Sequence, residues 1–352
     1  MDLPVQPPVA PMLARAGTSL PEQPAGRPRW SFEPKWDGFR CLVFRDGGEV
    51  ELGSRGSRPL TRYFPEVVAA ALAELPGRVV VDGELFVPAA DGQRLDWDAL
   101  SQRIHPAASR TALLAERTPA RFVAFDLLAL GEEDLTAAPF AERRARLELA
   151  LAGCGPTFSV TAATTDRERA AGWFTRFEGA GLDGVVAKAL DAPYSPGERT
   201  MTKVKHARTA DCVVMGYRPH KSLPGIGSLL LGLYEGGELQ MVGGASAFTA
   251  ARRRELLTEL QELRVGPDVT AEGEPNRWKR PEQAVWVPLR PERVVEVRYD
   301  QMEGERFRHA AQFVRWRPDR DPRSCTRAQL DVPARYDLAD VLAGAAGATG
   351  RS

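Results

Sequence analysis

The pattern of predicted elements changes near residue 207, and this change constrains the fold more than any other feature. Before it, strand-like segments such as RVVVDGELFVP and RFVAFDLLAL alternate with helix-like segments such as PEVVAAALAEL and AERRARLELALAG. CLVFRDGGEVELGS predicts two strands joined as a hairpin around Asp-Gly-Gly, and in RVVVDGELFVP the Asp-Gly pair predicts a break. After it, short strand-like runs with glycine-rich turns surround one helix-like segment, TAARRRELLTELQEL, and residues 266–284 predict a long exposed loop. This pattern predicts an α+β domain over residues 1–206, a small barrel over 207–330 and a tail over 331–352.

Length and cysteine usage limit the class of protein. With 352 residues, the chain is long enough for two domains that each bury a core. The cysteines are scattered and form no C-x-x-C pair, which argues against a zinc ribbon or a disulfide framework and favours a reducing compartment. Because the N-terminus has no apolar signal region and no apolar run has membrane-spanning length, we expect a cytoplasmic protein without a membrane partner.

Charge is balanced overall but not locally. The formal net charge is zero, which is mild evidence against a nucleic-acid partner. Between Arg306 and Arg327, however, seven arginines stand against only Asp319 and Asp321. This local excess fits a solvated arginine-rich face or a surface that binds phosphates, and charge alone leaves both open.

Lysine is rare in this chain, with six residues against 41 arginines, and the first is Lys35 in the segment FEPKWDGFR. An amine that acts as a nucleophile must be neutral, so its pKa must fall from about 10.4 through nearby cations or desolvation. Arginine cannot take this role because its guanidinium stays protonated. Lys35 is therefore a candidate nucleophile. Lys188, Lys203 and Lys205 are either surface lysines or the source of a positive field around it.

Six segments along the chain occur in an order that is typical of one family. EPKWDGFR, ELGSRG, VVDGEL, FVAFDLL, DGVVAK and RTMTKVK resemble the nucleotidyltransferase motifs of the ATP-dependent DNA ligases. With the lead-in PPVAPMLA and the late segment FVRWRPDRDPRSCT, the resemblance covers about residues 5–330 and is strongest to small stand-alone bacterial ligases of the LigC type. It implies an ATP-grasp-like nucleotidyltransferase (adenylation) domain followed by a C-terminal OB-fold β-barrel.

The resemblance also implies the role of each matching residue at the nucleotide. Lys35 would attack the α-phosphorus of ATP, giving lysyl-AMP and pyrophosphate. Asp37-Gly38 would form the turn that presents this lysine. The other nucleotide-binding positions are Glu33, Arg40, Arg55, Glu84, Phe125, Lys188, Arg199, Lys203 and Lys205. Among these, Phe125 would stack on adenine, although its residue type alone favours a core aromatic.

Metal and nick-binding residues follow from the same resemblance. Glu84 and Asp183 would hold Mg²⁺ or Mn²⁺, and Asp183 stands where the family more often has glutamate. Arg55 would bind the 5′-phosphate of the nick, where a planar guanidinium suits phosphate. Thr202 replaces the aromatic residue that often precedes the first lysine of TKVK.

The last motif would lie on the OB-fold. There Arg317 and Asp319 would orient the pyrophosphate leaving group, and Arg320 occupies a position where the family usually has lysine. The same domain would later cover the DNA. The implied partner is nicked double-stranded DNA, sealed in the course of DNA repair by a monomer without zinc, with unspecified repair-protein partners.

Two other functions remain open at this level. An RNA ligase, or an mRNA-capping guanylyltransferase that uses GTP, shares the K-x-D-G lysine, although the segments SRG and RPDRDPRSCT favour a DNA ligase. A non-catalytic OB-fold nucleic-acid binder with a decayed nucleotide pocket is the second. An NAD⁺-dependent ligase is disfavoured because no cysteine zinc module is visible. Nucleotide choice separates the enzyme classes.

Overall fold

The computed structural model describes residues 1–56, 59–176, 182, 184–205, 208–266, 269–272, 285–330 and 338–342. The chain divides into two compact units, Met1–His206 with Pro333–Ser352 and Ala207–Val332. Within the described ranges, none of the helices combines the length and the apolar character that a bilayer crossing requires.

The first unit mixes strands and helices. Its strands are β1 (Leu13–Ala16), β2 (Trp30–Pro34), β3 (Phe39–Asp46), β4 (Glu49–Ser54), β5 (Arg78–Phe86), β6 (Arg121–Leu130), β7 (Glu133–Asp134), β8 (Phe158–Val160), β9 (Gly184–Ala189) and β10 (Arg199–Lys205). Its helices up to residue 205 are α1 (Pro65–Glu74), α2 (Trp97–Gln102), α3 (Ala108–Arg117), α4 (Phe140–Ala150) and α5 (Arg167–Arg176). The predicted hairpin of β3 and β4 and the predicted α1 and α4 are confirmed, whereas α2 and α3 were not predicted.

These strands form two sheets that share apolar cores. One sheet has the order β1-β10-β9-β2, and the other has the order β4-β3-β5-β6-β7 with β8 beside β6. Successive side chains of a strand point to opposite faces. On β3, Cys41 packs with the core beneath α1, whereas Leu42 packs on the other face with Met201 of the first sheet. The second sheet is therefore buried on both faces, and one of its faces lies against the first sheet.

Strand β5 runs without interruption through Asp82 and Gly83, although the sequence analysis predicted a break at this pair. Glycine allows the strand to continue, because a Cβ at residue 83 would lie 2.3 Å from the carbonyl oxygen of Val123 on β6. On β6, Phe125 is an extra residue between the partners of Asp82 and Gly83. Such a β-bulge redirects a side chain out of the regular alternation.

The second unit is built mainly of strands. They are β11 (Arg208–Pro219), β12 (Ile226–Glu235), β13 (Glu238–Ala245), β14 (Ala271–Glu272), β15 (Val285–Pro288), β16 (Val294–Tyr299), β17 (Met302–Glu303), β18 (Arg306–Phe307) and β19 (Gln312–Trp316), with helix α6 (Ala250–Leu260) after β13. The β12–β13 turn consists of Gly236 and Gly237, both at positive φ, as a tight two-residue hairpin requires.

The second unit is consistent with the predicted OB-fold, and the strands that the structure describes do not close into a barrel. The main sheet has the order β13-β12-β11-β15-β14, while β16 pairs with β11 and β19 with β16. A single bridge, Ala245 to Ala311, joins the end of β13 to the segment before β19. One bridge does not make a ladder, so the described sheet stays open between these strands.

Two predicted segments fall largely outside the described ranges. Of the exposed loop predicted at 266–284, only 266 and 269–272 are described, and they include β14. In the segment assigned to a tail, Leu338–Leu342 forms a short helix, α7. Its Leu338 and Val341 are buried in the first unit with Phe32 and Trp173, because a three-residue spacing places both on one helical face.

Candidate functional site

A cavity of about 200 Å³ lies in the first unit and is lined by both of its sheets. Most of the residues predicted to bind nucleotide line it. They are Glu33, Lys35, Arg40, Arg55, Glu84, Phe125, Lys188, Arg199 and Lys203. The chain therefore gathers in one place side chains that are separated by up to 170 positions in sequence.

Lys35 follows the last residue of β2 and is held by its backbone. Its N–H donates to the carbonyl oxygen of Gly184 at 2.8 Å. Three residues later, the N–H of Gly38 donates to Glu84 Oε1 at 3.2 Å. A Cβ at residue 38 would lie 2.0 Å from the carbonyl oxygen of Leu85. The turn after Lys35 thus needs glycine because it passes directly against β5.

Glu33 and Lys188 form a buried ion pair on neighbouring strands. Their side chains are 3% and 4% exposed, and Lys188 Nζ lies 2.8 Å from Glu33 Oε2. The ammonium also donates to the carbonyl oxygen of Phe125 at 2.9 Å. Lys188 is therefore not a surface lysine. A buried charge needs such partners, since desolvation would otherwise disfavour it.

Arg40 is clamped from two sides. Its Nε and Nη2 each donate to a carboxylate oxygen of the buried Asp82 at 2.6 Å, and Nη2 also donates to the carbonyl oxygen of Met12. The Tyr194 hydroxyl donates to Asp82 Oδ2 at 2.6 Å and accepts from the N–H of Met12. Burial lowers the pKa of Arg40, but the charge of Asp82 and its hydrogen bonds, together with the charges of Tyr194 and Glu84, outweigh this effect and raise the pKa. Arg40 therefore stays a cation.

Phe125 carries two cations close to its ring. The Cζ of Arg40 lies 4.4 Å from the ring centroid and Lys188 Nζ lies 4.8 Å from it. The ring is 9% exposed and lines the cavity, because the bulge in β6 directs it there. It packs in the protein interior and still presents an aromatic surface to the cavity.

Glu84 lies directly across the β3–β5 pair from Arg40. Burial raises the pKa of its carboxyl group to about 7, against the opposing effect of Arg40 and Lys35. A carboxyl group that titrates near neutrality and lines a cavity with cations is a strong functional candidate. It can bind a cation or accept hydrogen bonds from a ligand when ionised.

The remaining predicted cations differ in position. Arg55, just after β4, and Arg199, at the start of β10, are exposed at the cavity, and Arg199 donates to the carbonyl oxygen of Ala14 at 3.3 Å. Lys203 lies further along β10 and also lines the cavity. Lys205 ends that strand and lies outside the set of lining residues. Two of the cations that line the cavity, Arg199 and Lys203, thus come from the same strand.

Only one of the two predicted metal ligands lies among the described residues. Glu84 is placed at the cavity, whereas Asp183 lies outside the described residues. Across the part of the chain that the structure describes, no group of three or more His, Cys, Asp or Glu side chains has the arrangement of a metal site. Glu84 is thus the one described carboxylate of the predicted pair.

The last predicted motif lies in the second unit. Arg317 contacts both oxygens of Asp211 at 2.9 and 3.0 Å and Asp319 at 2.8 Å. The hydrogen bond from Arg317 lowers the pKa of Asp319 to about 2. Arg320 Nε lies 3.3 Å from Asp211 Oδ2. Asp211 therefore holds two of the three motif residues within this unit.

Sequence reasoning missed Asp82, Tyr194 and Arg144. Asp82 stands inside the quoted segment VVDGEL, so its strand position two residues before Glu84 was the available signal. Tyr194 contacts Asp82, which is 112 residues away in sequence. Arg144 contacts Glu33, which is 111 residues away. No local pattern identifies contacts at that separation.

Comparison with known proteins covers both units. Residues 11–205 match the family described as ATP dependent DNA ligase domain, and residues 223–320 match ATP dependent DNA ligase C terminal region. The chain is 60% identical over 351 residues to DNA ligase C2 of Mycolicibacterium smegmatis, with 95% of this chain and 97% of the relative covered. It is 56% identical over 364 residues to DNA ligase C of Mycobacterium tuberculosis, with 98% and 99% covered.

A solved structure supports the fold. A Lig E DNA ligase superposes with a TM-score of 0.53 at 20% identity, and the match covers 86% of this chain and 99% of that chain. At this level of identity the likeness concerns the fold alone. It agrees with a nucleotidyltransferase unit followed by a sheet of the OB type.

Proposed function

Because the chain belongs to the family of ATP-dependent DNA ligases, we propose that Lys35 is the residue that carries AMP in its reaction. The family uses ATP and seals nicks in DNA through an adenylate intermediate. The observation that carries the proposal is the convergence on one cavity of Lys35 with the cations, carboxylates and aromatic ring that this chemistry needs. An amine suits a covalent carrier because a P–N bond can be formed and later broken.

The reaction has three balanced steps. The neutral amine of Lys35 attacks the α-phosphorus of ATP, an N–P bond forms as the nitrogen gives up one proton, the α–β phosphoanhydride bond breaks and pyrophosphate leaves. A 5′-phosphate oxygen of the nick then attacks the same phosphorus, so the N–P bond breaks, the lysine nitrogen takes up a proton and AMP moves to the DNA. Finally the 3′-OH attacks the 5′-phosphorus, gives up its proton and displaces AMP. Each step is a phosphoryl-group transfer that depends on alignment and charge neutralisation.

The cavity offers a place for each part of ATP. Phe125 stacks on adenine with the ring that the β6 bulge directs inward. Arg40 binds near the ribose. Asp82 and the carbonyl oxygen of Met12 hold its guanidinium in one orientation. Glu33 accepts hydrogen bonds from the nucleotide with its buried carboxylate.

The triphosphate lies towards β10. Arg199 and Lys203 reach it from the cavity edge, with Lys205 beyond them on the same strand and Lys188 balancing Glu33 deeper inside. Oxygen-rich phosphates need several positive groups at short range, and these side chains supply them.

A divalent cation, Mg²⁺ or Mn²⁺, completes the proposed site. Mg²⁺ keeps several waters and takes only one or two protein carboxylates besides phosphate oxygens, so Glu84 fits this role, with Asp183 as the second carboxylate. When bound, the cation neutralises charge on the phosphates during transfer. Glu84 must be ionised to hold it, and its pKa of about 7 makes this occupancy sensitive to pH near neutrality.

DNA contacts and the second unit form the last part of the proposal. Arg55 binds the 5′-phosphate of the nick through its exposed guanidinium. Arg317 and Asp319 orient pyrophosphate during adenylation, with Arg320 beside them. The partner is nicked duplex DNA, the working form is a monomer, and the role is repair.

The test is covalent labelling. Purified protein is incubated with α-labelled ATP, GTP or NAD⁺ and Mg²⁺, beside Lys35→Ala, and label retained after denaturation is measured. Label from ATP alone, lost in the variant and transferred to nicked DNA, supports the proposal. Label from GTP, or label that persists without Lys35, contradicts it. Protein must first be shown free of bound AMP, because preloaded enzyme would accept no label.

A further inference from the structure

Arg144 lies outside the motifs quoted for the family resemblance, yet it is connected to residues on both sides of Lys35 in the sequence. It stands on α4 with its side chain 12% exposed. Its Nη1 lies 3.2 Å from Glu33 Oε1, and its Nη2 donates to the carbonyl oxygen of Thr161 at 2.5 Å. The hydroxyl of Thr161 accepts a hydrogen bond from Trp36 Nε1 at 2.8 Å.

Two cations bind the carboxylate of Glu33. Lys188 holds Glu33 Oε2 and Arg144 holds Oε1, so each carboxylate oxygen has its own positive partner. An ionised carboxylate only accepts hydrogen bonds, and a buried one is costly unless its oxygens are paired. Without Arg144, Oε1 would lose this partner and the carboxylate would be free to turn about its remaining bond to Lys188.

The contact of Arg144 with Thr161 connects it to Trp36, on the other side of Lys35. Glu33 precedes Lys35 by two residues and Trp36 follows it directly, and both connect to Arg144, the second through Thr161. The guanidinium fork can make these contacts at the same time because its nitrogens are fixed in one plane. The third nitrogen, Nε, faces outward to the exposed Glu148 at 2.7 Å.

We infer that Arg144 is a positioning residue for adenylation, which holds Glu33 and the segment around Lys35 in the geometry that receives ATP. The inference rests on the proposed roles of Lys35 and Glu33. Arg144 itself touches neither the reacting phosphorus nor the nucleophile. Its effect therefore passes through Glu33 and through the Thr161–Trp36 contact.

The experiment measures the initial rate of lysyl-AMP formation against ATP concentration in the full chain with Mg²⁺. Arg144→Gln removes the charge and should raise the half-saturating ATP concentration by about tenfold or more, the size expected for a lost hydrogen bond between charged groups. Arg144→Lys should fall between Arg144→Gln and wild type, because one ammonium can hold Glu33 but has no fork to reach Thr161. Arg146→Gln is the matched control on the same helix, since Arg146 pairs with the exposed Glu133 and Glu142.

A double-mutant cycle separates positioning from general stability. If Arg144 acts through Glu33, adding Arg144→Gln to Glu33→Gln should change the ATP dependence much less than it does in the wild type. Thermal midpoints of all variants are measured in parallel, and if Arg144→Gln does not fold, Arg144→Lys decides.

Two results overturn the inference. One is an ATP dependence for Arg144→Gln equal to that of Arg146→Gln. The other is an effect that multiplies fully with that of Glu33→Gln, which would indicate two independent contributions. Absence of label on wild-type protein is a different result, because it contradicts the role of Lys35 rather than that of Arg144.

Discussion

Arg40 donates hydrogen bonds of equal length, 2.6 Å, from Nε and Nη2 to the two carboxylate oxygens of Asp82. This paired geometry fixes the plane of the guanidinium and leaves it beside the ring of Phe125. Asp82 is fully buried and receives a further bond from Tyr194. Arg40, which we propose binds near the ribose, is thus oriented by two residues that are not among those lining the cavity.

Asp82→Asn should therefore weaken both ATP use and stability. Asparagine keeps the shape but removes the charge that holds Arg40, and breaking a buried pair typically costs about 3 kcal/mol of unfolding free energy. Denaturant unfolding and the ATP dependence of lysyl-AMP formation measure the two effects. Tyr194→Phe is the milder companion, because it removes one hydroxyl and leaves the Arg40 pair intact. Equal effects of the two variants would contradict the central role of the ion pair.

Glu84 should make stability depend on pH. Folding raises its carboxyl pKa from 4.5 to about 7, so the folded protein holds this proton more tightly than the unfolded chain. The resulting stabilisation is fully present below pH 4.5 and is lost as pH rises through 7. Thermal midpoints of wild type and Glu84→Gln, compared from pH 5 to 8, should shift in favour of the variant as pH rises. A difference that stays constant over this range would contradict the raised pKa.

The activity of the wild type should follow the same titration with the opposite sign. The proposed metal role requires ionised Glu84, so lysyl-AMP formation at limiting Mg²⁺ should rise through about pH 7. Excess Mg²⁺ should move this rise to lower pH, because the metal binds the ionised form. The profile is measured by labelling at several Mg²⁺ concentrations. A rise that does not move with Mg²⁺ argues against Glu84 as a metal ligand.

Gly184→Ala should disturb the site through the backbone. Gly184 has a φ of 141°, and a Cβ there would lie 2.1 Å from the carbonyl oxygen of Val204 on β10. The carbonyl oxygen of Gly184 accepts a hydrogen bond from the N–H of Lys35, so pushing β9 from β10 also moves the proposed nucleophile. We expect a loss of about 2 kcal/mol or more in unfolding free energy, with slower adenylation. Gly77→Ala is the control, because a Cβ at residue 77 meets no atom within 4 Å.

Arg317→Ala should affect the steps of the reaction unequally. If Arg317 orients pyrophosphate, its loss should slow lysyl-AMP formation far more than the sealing of a nick that already carries AMP. Both rates are measured on the same preparations. Arg315→Ala serves as control, since Arg315 is 62% exposed and pairs with Glu296. Equal slowing of both steps by Arg317→Ala would indicate a different role for this residue.

Much of the fold could be predicted because its signals are local. The Asp46–Glu49 hairpin follows from its Gly-Gly turn, α1 from a proline at its start and apolar spacing, and the change near residue 207 from glycine-rich turns between short strands. The candidate site could be predicted mainly from the order of the motifs that resemble those of the ATP-dependent DNA ligases, whereas residue type alone identified only Lys35 as a candidate nucleophile. Nine of these predicted side chains, from Glu33 to Lys203, line one cavity.

Other features depend on contacts between segments far apart in the chain. The residues do not reveal that β6 bulges at Phe125, that β5 continues through Asp82-Gly83, or that the described strands of the second unit leave their sheet open. Each of these depends on strand register. Register is decided by packing across the sheet and not by the propensity of any one segment.

The residue types of this chain thus specify which groups are available for the proposed chemistry, because nucleophilicity, charge and aromatic stacking are properties of side chains. Their orientation is decided by the folded chain. Asp82 and Tyr194 orient Arg40, and Arg144 holds Glu33, through contacts that exist only once β5, α4 and the segment after β9 are packed together. Burial then sets the pKa of Glu84 near 7, because desolvation is a property of the packed interior and has no counterpart in a local stretch of sequence.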